Sequence, residues 1–196
     1  MIQRMPRFLT IACLALAALP AASRAQIEIT DSARVRIDTS FGSILVELDA
    51  NRAPLTVQNF LQYVVDDFYD GTIFHRVAPG FIVQGGGYLP DLTRKPAERT
   101  VPNESGNGLS NRRGTIAMAR SNEPHAATTE FYFNLVNNVD LDPRPSRWGY
   151  AVFGEIIDGI DVLDRIGGVS TTAAGEFDRN VPVETIVIER IELLQD

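Results

Sequence analysis

Helical periodicity is scarce in this 196-residue chain, and that scarcity constrains its fold more than any other feature. One run carries it clearly: Val57, Phe60, Leu61 and Val64 stand at i, i+3, i+4 and i+7, which gives a helix one apolar face. Pro54 precedes them, where a first helical turn tolerates the missing N–H, and Asp70-Gly71 marks a turn beyond the end. A second, shorter helix fits Ile160–Ile166, with Asp158 near its start and Gly167-Gly168 at its end. The other apolar residues fall in short runs. Ala33–Asp38 and Ser43–Asp49 alternate on either side of Phe41-Gly42 and read as a hairpin, and Thr72–Val77 and Phe81–Gln84 flank a Pro79-Gly80 turn. Thr115–Met118, Glu130–Leu135, Tyr150–Glu155 and Thr185–Leu194 supply four more strands, while residues 85–113, rich in Gly, Pro, Asn and Arg, read as a long ordered loop. Many short strands with two separated helices point to a mainly β barrel or sandwich and away from a βαβ sheet. Spacing alone leaves barrel and sandwich both open.

The first 25 residues stand apart. Arg4 and Arg7 give a positive start, Phe8–Leu19 is apolar except for Thr10, and Ser23-x-Ala25 fits a cleavage site before Gln26. The apolar run is too short for a membrane span, which needs about 20 residues. The expectation is therefore a signal peptide over 1–25, one domain over 26–196, and export to the periplasm. Cys13, the only cysteine, lies in the leader, so the mature chain would hold itself together without disulfides. Losing the leader removes three arginines and no acid, which takes the net charge from −7 to −10. So acidic a domain is a poor partner for nucleic acid or an anionic membrane.

Most familiar chemistries lack their residues. His75 and His125 are the only histidines, too few without cysteine for most His/Cys metal sites. There is no Gly-x-Ser-x-Gly elbow and no phosphate loop. Gly85-Gly86-Gly87 lacks the dinucleotide spacing and reads as a bulge or tight turn, and Asp140-Leu141-Asp142 is too short and too Pro-rich for a calcium loop. What remains is Arg76 among apolar neighbours. If Thr72–Val77 is one strand, alternation sends Phe74 and Arg76 to one side and His75 to the other. By itself an arginine so placed reads first as the structural partner of a buried carboxylate.

The segment Phe74-His75-Arg76-Val77-x-Pro79-Gly80-Phe81-x-x-Gln84-Gly85-Gly86 resembles the central signature of the cyclophilins. Further matches follow in order: Asn103-Glu104, Asn107-Gly108-Leu109, Arg113–Arg120 and Phe153-Gly154. The resemblance covers about residues 34–194 and is nearest the bacterial, exported branch. It implies a closed eight-stranded antiparallel barrel capped by two helices, no cofactor and no metal. It also implies peptidyl-prolyl cis-trans isomerase activity, without a covalent intermediate, on proline-containing peptides and unfolded exported proteins. Nothing in the sequence suggests a stable oligomer, so a monomer is expected.

By the same resemblance Arg76, Phe81 and Gln84 form the catalytic set. Arg76 would donate to the prolyl nitrogen; Gln84 would bind the substrate carbonyl and orient Arg76. Phe81, Ile82, Tyr132 and Leu141 would wall the proline pocket, and Ala119 would line the groove for the residues before proline. Several positions depart from the family pattern. Glu130 stands where a glutamine is common and could pair with Arg76, either holding it or competing with substrate. Tyr132 adds a hydroxyl to the usual phenylalanine, and Arg120 replaces the asparagine of eukaryotic members. Asp140 and Tyr150 occupy the places of the tryptophan and histidine of cyclosporin-sensitive members, which implies weak cyclosporin binding; Trp148 is not a substitute. His75 reads as a satisfied structural residue, and His125, after Pro124 in a loop, has no evident partner. The rival reading is a chaperone module that holds proline segments with little turnover, kept open by the altered groove charge at Glu130 and Asp140.

Overall fold

A computed structural model describes residues 32–97 and 99–194, so the expected leader, Cys13 and the boundary before Gln26 lie outside the described residues. The described residues open with the anticipated hairpin. Strands β1 (Ser32–Thr39) and β2 (Gly42–Asp49) pair antiparallel from Ser32 opposite Asp49 to Thr39 opposite Gly42. Val35, Ile37, Ile44, Val46 and Leu48 alternate into the core from this pair, as a period of two requires.

Helix α1 (Pro54–Val65) buries the predicted stripe of Val57, Phe60, Leu61 and Val64, together with Thr56 and Tyr63. Ala53, the residue before it, offers no side-chain cap. Glu104 supplies one from the long loop, its carboxylate accepting from Leu55 N (3.2 Å), Thr56 N (2.8 Å) and the Thr56 hydroxyl (2.6 Å). The loop is thereby tied to the positive end of the helix. Helix α2 (Ile160–Gly167) buries Val162, Leu163 and Ile166.

The other strands are β3 (Thr72–Ile73), β4 (Arg76–Ala78), β5 (Ile82–Gly85), β6 (Thr115–Met118), β7 (Phe131–Asn134), β8 (Val152–Asp158), β9 (Thr171–Ala174), β10 (Phe177–Pro182) and β11 (Val187–Leu194). All but β9 and β10 join β1 and β2 in one curled antiparallel sheet, ordered β3-β11-β1-β2-β8-β6-β7-β5-β4. The closed eight-stranded barrel is thus corrected to an open, curled sheet of nine strands whose ends are β3 and β4. The reason lies at Phe74 and His75, which leave the ladder between those two strands. Phe74 N donates instead to Ile186 O (2.9 Å), and its ring packs into the core beside Phe131 and Phe133. What reads as one strand over Thr72–Val77 is therefore two, and strand alternation does not carry across the break.

A second correction concerns 171–182, where no strand was expected. β9 and β10 form a separate two-stranded sheet. Most of its residues are at least partly exposed, so it lacks the apolar alternation by which a strand is recognised. Its register shifts between Phe177 and Val181, and Phe177 lies against His75 and Tyr88.

Candidate active site

Strand alternation sorts the residues of β4 to β8 onto two faces. Val77, Val83, Ile116, Met118, Phe131, Phe133 and Phe153 join the main core beneath α1 and α2. Their neighbours Ala78, Ile82, Ala117, Tyr132 and Val152 form a second apolar cluster on the opposite face, with Phe81, Leu109, Ala119, Leu141 and Tyr150 packed around it. Register then aligns this face. Arg76 pairs with Gln84, Gln84 with Tyr132, Tyr132 with Ala117, and Ala117 with Val152. One transverse row across five strands thus begins at a guanidinium, passes an amide, and continues over an apolar floor.

The polar end of the row is tightly connected. Arg76 Nη1 donates to Gln84 Oε1 (3.2 Å), and Gln84 Nε2 donates to Glu130 Oε2 (2.9 Å). Glu130 therefore reaches Arg76 only through Gln84, and the direct pairing anticipated for it does not occur. Its other oxygen accepts from Arg94 Nη2 (3.3 Å). Burial, and then the charge of Arg179 on β10, pull the Arg76 guanidinium below the usual arginine value, while Tyr150 acts the other way. The group stays cationic at neutral pH.

His75 is structural, as expected, but not satisfied. Its ring is sandwiched near Tyr88 (4.5 Å between centroids) and Phe177 (5.4 Å), with Nε2 3.5 Å from Glu130 Oε2. Nδ1 is buried without a partner. Burial, with Arg76 and Arg94 nearby, pushes its pKa down to about 3, so the imidazole is neutral. With a neutral ring, the approach of Nε2 to Glu130 is a polar contact and not an ion pair.

The apolar floor rests on a buried polar layer that sequence reasoning missed. The Tyr132 hydroxyl donates to Asn111 Oδ1 (2.7 Å), which also accepts from Asn134 Nδ2 (3.2 Å). Asn111 N and Nδ2 both donate to Asp142 Oδ1 (2.7 and 2.9 Å). Asn138 Nδ2 bonds Asn134 Oδ1 (2.8 Å) and Phe81 O (2.9 Å), so the same layer fixes the backbone of Phe81. Asn111 and Asn138 lie in loops, where asparagines are commonplace, and no local signal separates them or Asn134 of β7 from solvated ones.

The far rim is held by Arg120, whose guanidinium lies over the Tyr150 ring (4.5 Å) and donates to the carbonyls of Ser121, Trp148 and Gly149. Tyr150 meets Tyr132 edge-on at 5.9 Å. Leu141 ends a 3-10 turn, Val139–Leu141, and is partly buried against the cluster. Asp140 in that turn projects outward and pairs with Arg144. His125 does have partners: Nδ1 accepts from Asn103 N (3.0 Å), and its ring meets Trp148 edge-on at 5.2 Å. The Ala119 backbone lies beside Glu130, its N–H donating to Glu130 O (2.9 Å).

The family model for cyclophilin type peptidyl-prolyl cis-trans isomerases matches residues 34–193. This chain belongs to the cyclophilin family. It is 46% identical over 166 residues to peptidyl-prolyl cis-trans isomerase A of Dickeya dadantii (strain 3937), covering 85% of this chain and 87% of that one. It is 44% identical over 160 residues to isomerase B of Escherichia coli (strain K12), covering 80% and 97%. Among solved structures, a Cryptosporidium parvum cyclophilin type isomerase crystallised in the presence of the dipeptide Ala-Pro superposes with a TM-score of 0.71 at 29% identity, covering 83% of this chain and 99% of that one.

At the polar end of this cyclophilin's groove a carboxylate, Glu130, meets Gln84. A cleft of about 570 Å³ lies on another part of the surface, lined by Glu47, Asp49, Arg52, Arg112 and Glu155; it touches the groove's apolar cluster only through Leu109 and Val152. Its mixed charges do not form a row with Arg76. Among the described residues no cluster of three His, Cys, Asp or Glu side chains is arranged to hold a metal ion.

Proposed function

We propose that this cyclophilin accelerates cis–trans isomerisation of X-Pro bonds in peptides and in unfolded exported proteins, with Arg76 as the group acting on the reacting amide. The observation that carries the reading is the transverse row, which sets one half-buried guanidinium at the edge of an apolar floor. Amide resonance opposes rotation by roughly 18–20 kcal/mol, and uncatalysed X-Pro exchange takes tens to hundreds of seconds. No bond to a heavy atom need form or break. The site must bind the twisted amide better than either planar isomer.

Twisting removes the nitrogen lone pair from resonance and turns it into an acceptor. Arg76 donates to it, with a planar, permanently charged fork whose direction is set by Gln84. Phe81, Ile82, Tyr132 and Leu141 hold the pyrrolidine ring while the carbonyl side turns. Gln84 binds the substrate carbonyl, and the backbone of Ala119 and the side chains of Glu130 and Tyr150 line the path for the flanking residues. The apolar surround excludes water, which strengthens the arginine hydrogen bond.

The leader-like pattern of Arg4, Arg7 and Phe8–Leu19 supports export to the periplasm and action there. A proline-peptide exchange assay tests the central claim. The mature protein should accelerate exchange and Arg76→Ala should lose on the order of a hundredfold in kcat/KM, as removal of one preorganised donor does elsewhere. Peptide binding by the native chain without acceleration would replace the enzyme by a holding module.

A further inference from the structure

Gln84 can help Arg76 only if its amide is the right way round. The carbonyl oxygen must face the guanidinium and the NH2 group must face away, yet the two ends are nearly equal in size. In this chain the NH2 end meets a carboxylate oxygen, which accepts and cannot donate, so Glu130 fixes the orientation of Gln84. A glutamine at that position would present either end and leave the choice open.

The carboxylate brings a hazard with it. Glu130 is linked through Gln84 to Arg76, and its carboxylate's own partners are mostly neutral: the Gln84 amide and the neutral His75 ring. Arg94 is the exception. It reaches from the long loop to Oε1, the oxygen that Gln84 does not use, and so divides the two acceptors between two donors. The backbone makes room for the arrangement at Gly87. A Cβ there would sit 2.7 Å from Glu130 Cδ and 2.8 Å from Oε1, so any other residue would expel the carboxylate from this place. Nearby, Arg94 is bridged to Tyr88, and Lys95 N donates to Gly87 O (2.9 Å), which fixes the loop relative to Glu130.

We infer that Arg94 is a positioning residue of the isomerase site, acting through Glu130 and Gln84 to keep Arg76 aimed at the substrate. Without Arg94 the Glu130 carboxylate has no cationic partner of its own, and Arg76, linked to it through Gln84, is the cation it draws off the prolyl nitrogen. The inference rests on the isomerase reading above. Its mark is conditional: Arg94 matters only while residue 130 is a carboxylate.

The test is a four-member cycle of native chain, Arg94→Ala, Glu130→Gln and the double variant, each assayed for kcat and KM on one proline tetrapeptide. Arg94→Ala should lose about fivefold in kcat with KM little changed, since the aim of Arg76 matters in the twisted state and not in ground-state binding. Arg94→Lys should restore most of it. In the Glu130→Gln background, at whatever level that variant works, removing Arg94 should change kcat by less than about 1.5-fold, because coupled residues are non-additive. An equal loss in both backgrounds, or no loss in either, overturns the inference. The Gln84 side-chain amide resonances, which should shift on Arg94→Ala but not on Arg94→Lys, read the same relay without turnover. A native chain with no activity overturns the isomerase reading, and the amide shifts then still decide whether Arg94 acts on Gln84.

Discussion

Tyr132 donates its hydroxyl to Asn111 at 2.7 Å from beneath the groove, so the ring that walls the proposed proline pocket is also pinned from below. The phenol is buried, and burial holds its proton well above the ordinary tyrosine range, so it remains a donor at any working pH. Tyr132→Phe keeps the ring and removes the bond. Asn111 retains the weaker donation from Asn134, so its oxygen is not orphaned. Unfolding in urea should show a loss of about 1 kcal/mol, the usual net worth of such a bond. No loss would mean that the polar layer does not support the floor.

Gly87 is where backbone and site chemistry meet. A methyl group there overlaps the Glu130 side chain from Cγ to Oε1, so the side chain must shift. Gly87→Ala should therefore cost about 1–3 kcal/mol in denaturant unfolding, as overpacking does. It should also lower kcat/KM, since a displaced Glu130 releases Gln84. Full activity in a folded Gly87→Ala protein would show that the Glu130 to Gln84 contact is dispensable.

The parts of this architecture legible in sequence are those decided by neighbours in the chain. The face of α1 follows from the spacing of Val57, Phe60, Leu61 and Val64, and the β1–β2 hairpin from alternation on both sides of Phe41-Gly42. Arg76, Phe81, Gln84 and Tyr132 could be named as members of a family motif. That Arg76, Gln84 and Tyr132 share one row is a matter of register between strands up to 56 residues apart in the chain, which periodicity does not contain. The rest was illegible for the same reason. The break at Phe74-His75 depends on Ile186 O, the partner of His125 is the N–H of Asn103, and Asn111 takes its importance from Tyr132 and Asp142. The β9–β10 hairpin is held by side chains at its margins, Phe177 against His75 and Glu176 accepting from the Tyr88 hydroxyl at 2.9 Å, and it carries little apolar alternation of its own.

His75 gives stability an acid limb. Its pKa is about 3 in the folded protein against 6.5 for an ordinary histidine. Above pH 6.5 both folded and unfolded chains hold it neutral, and it contributes nothing to the pH dependence. As pH falls from 6.5 towards 3, the unfolded chain gains a proton that the folded one refuses, so stability is lost across that window. The slope from this residue should reach about 1.4 kcal/mol per pH unit at most, since one proton is involved. Urea unfolding followed from pH 7 to pH 4 should show this component in the native chain and not in His75→Gln. Ring-carbon shifts of His75 should stay constant over the same range in the folded protein; a midpoint near 6 would mean that the ring is accessible and the sandwich with Tyr88 and Phe177 opens.

The rim of the groove sets the response to cyclosporin. In the proposed alignment, the indole of sensitive cyclophilins is replaced by Asp140, whose side chain is 87% exposed and paired with Arg144. An apolar cyclic peptide covering that corner would bury a carboxylate and a guanidinium whose attraction in water is worth little, and desolvating them costs more than the pair returns. Trp148 offers no replacement, because its backbone is held by Arg120 and its ring is turned against His125. Binding should therefore be weaker than about 1 μM, or about 8 kcal/mol. Since Trp148 is the only tryptophan, its fluorescence reports directly on the rim during a titration. Asp140→Trp should tighten binding by about tenfold or more, the scale of one buried aromatic anchor. Sub-micromolar affinity in the native chain would show that the Asp140 corner does not face the ligand.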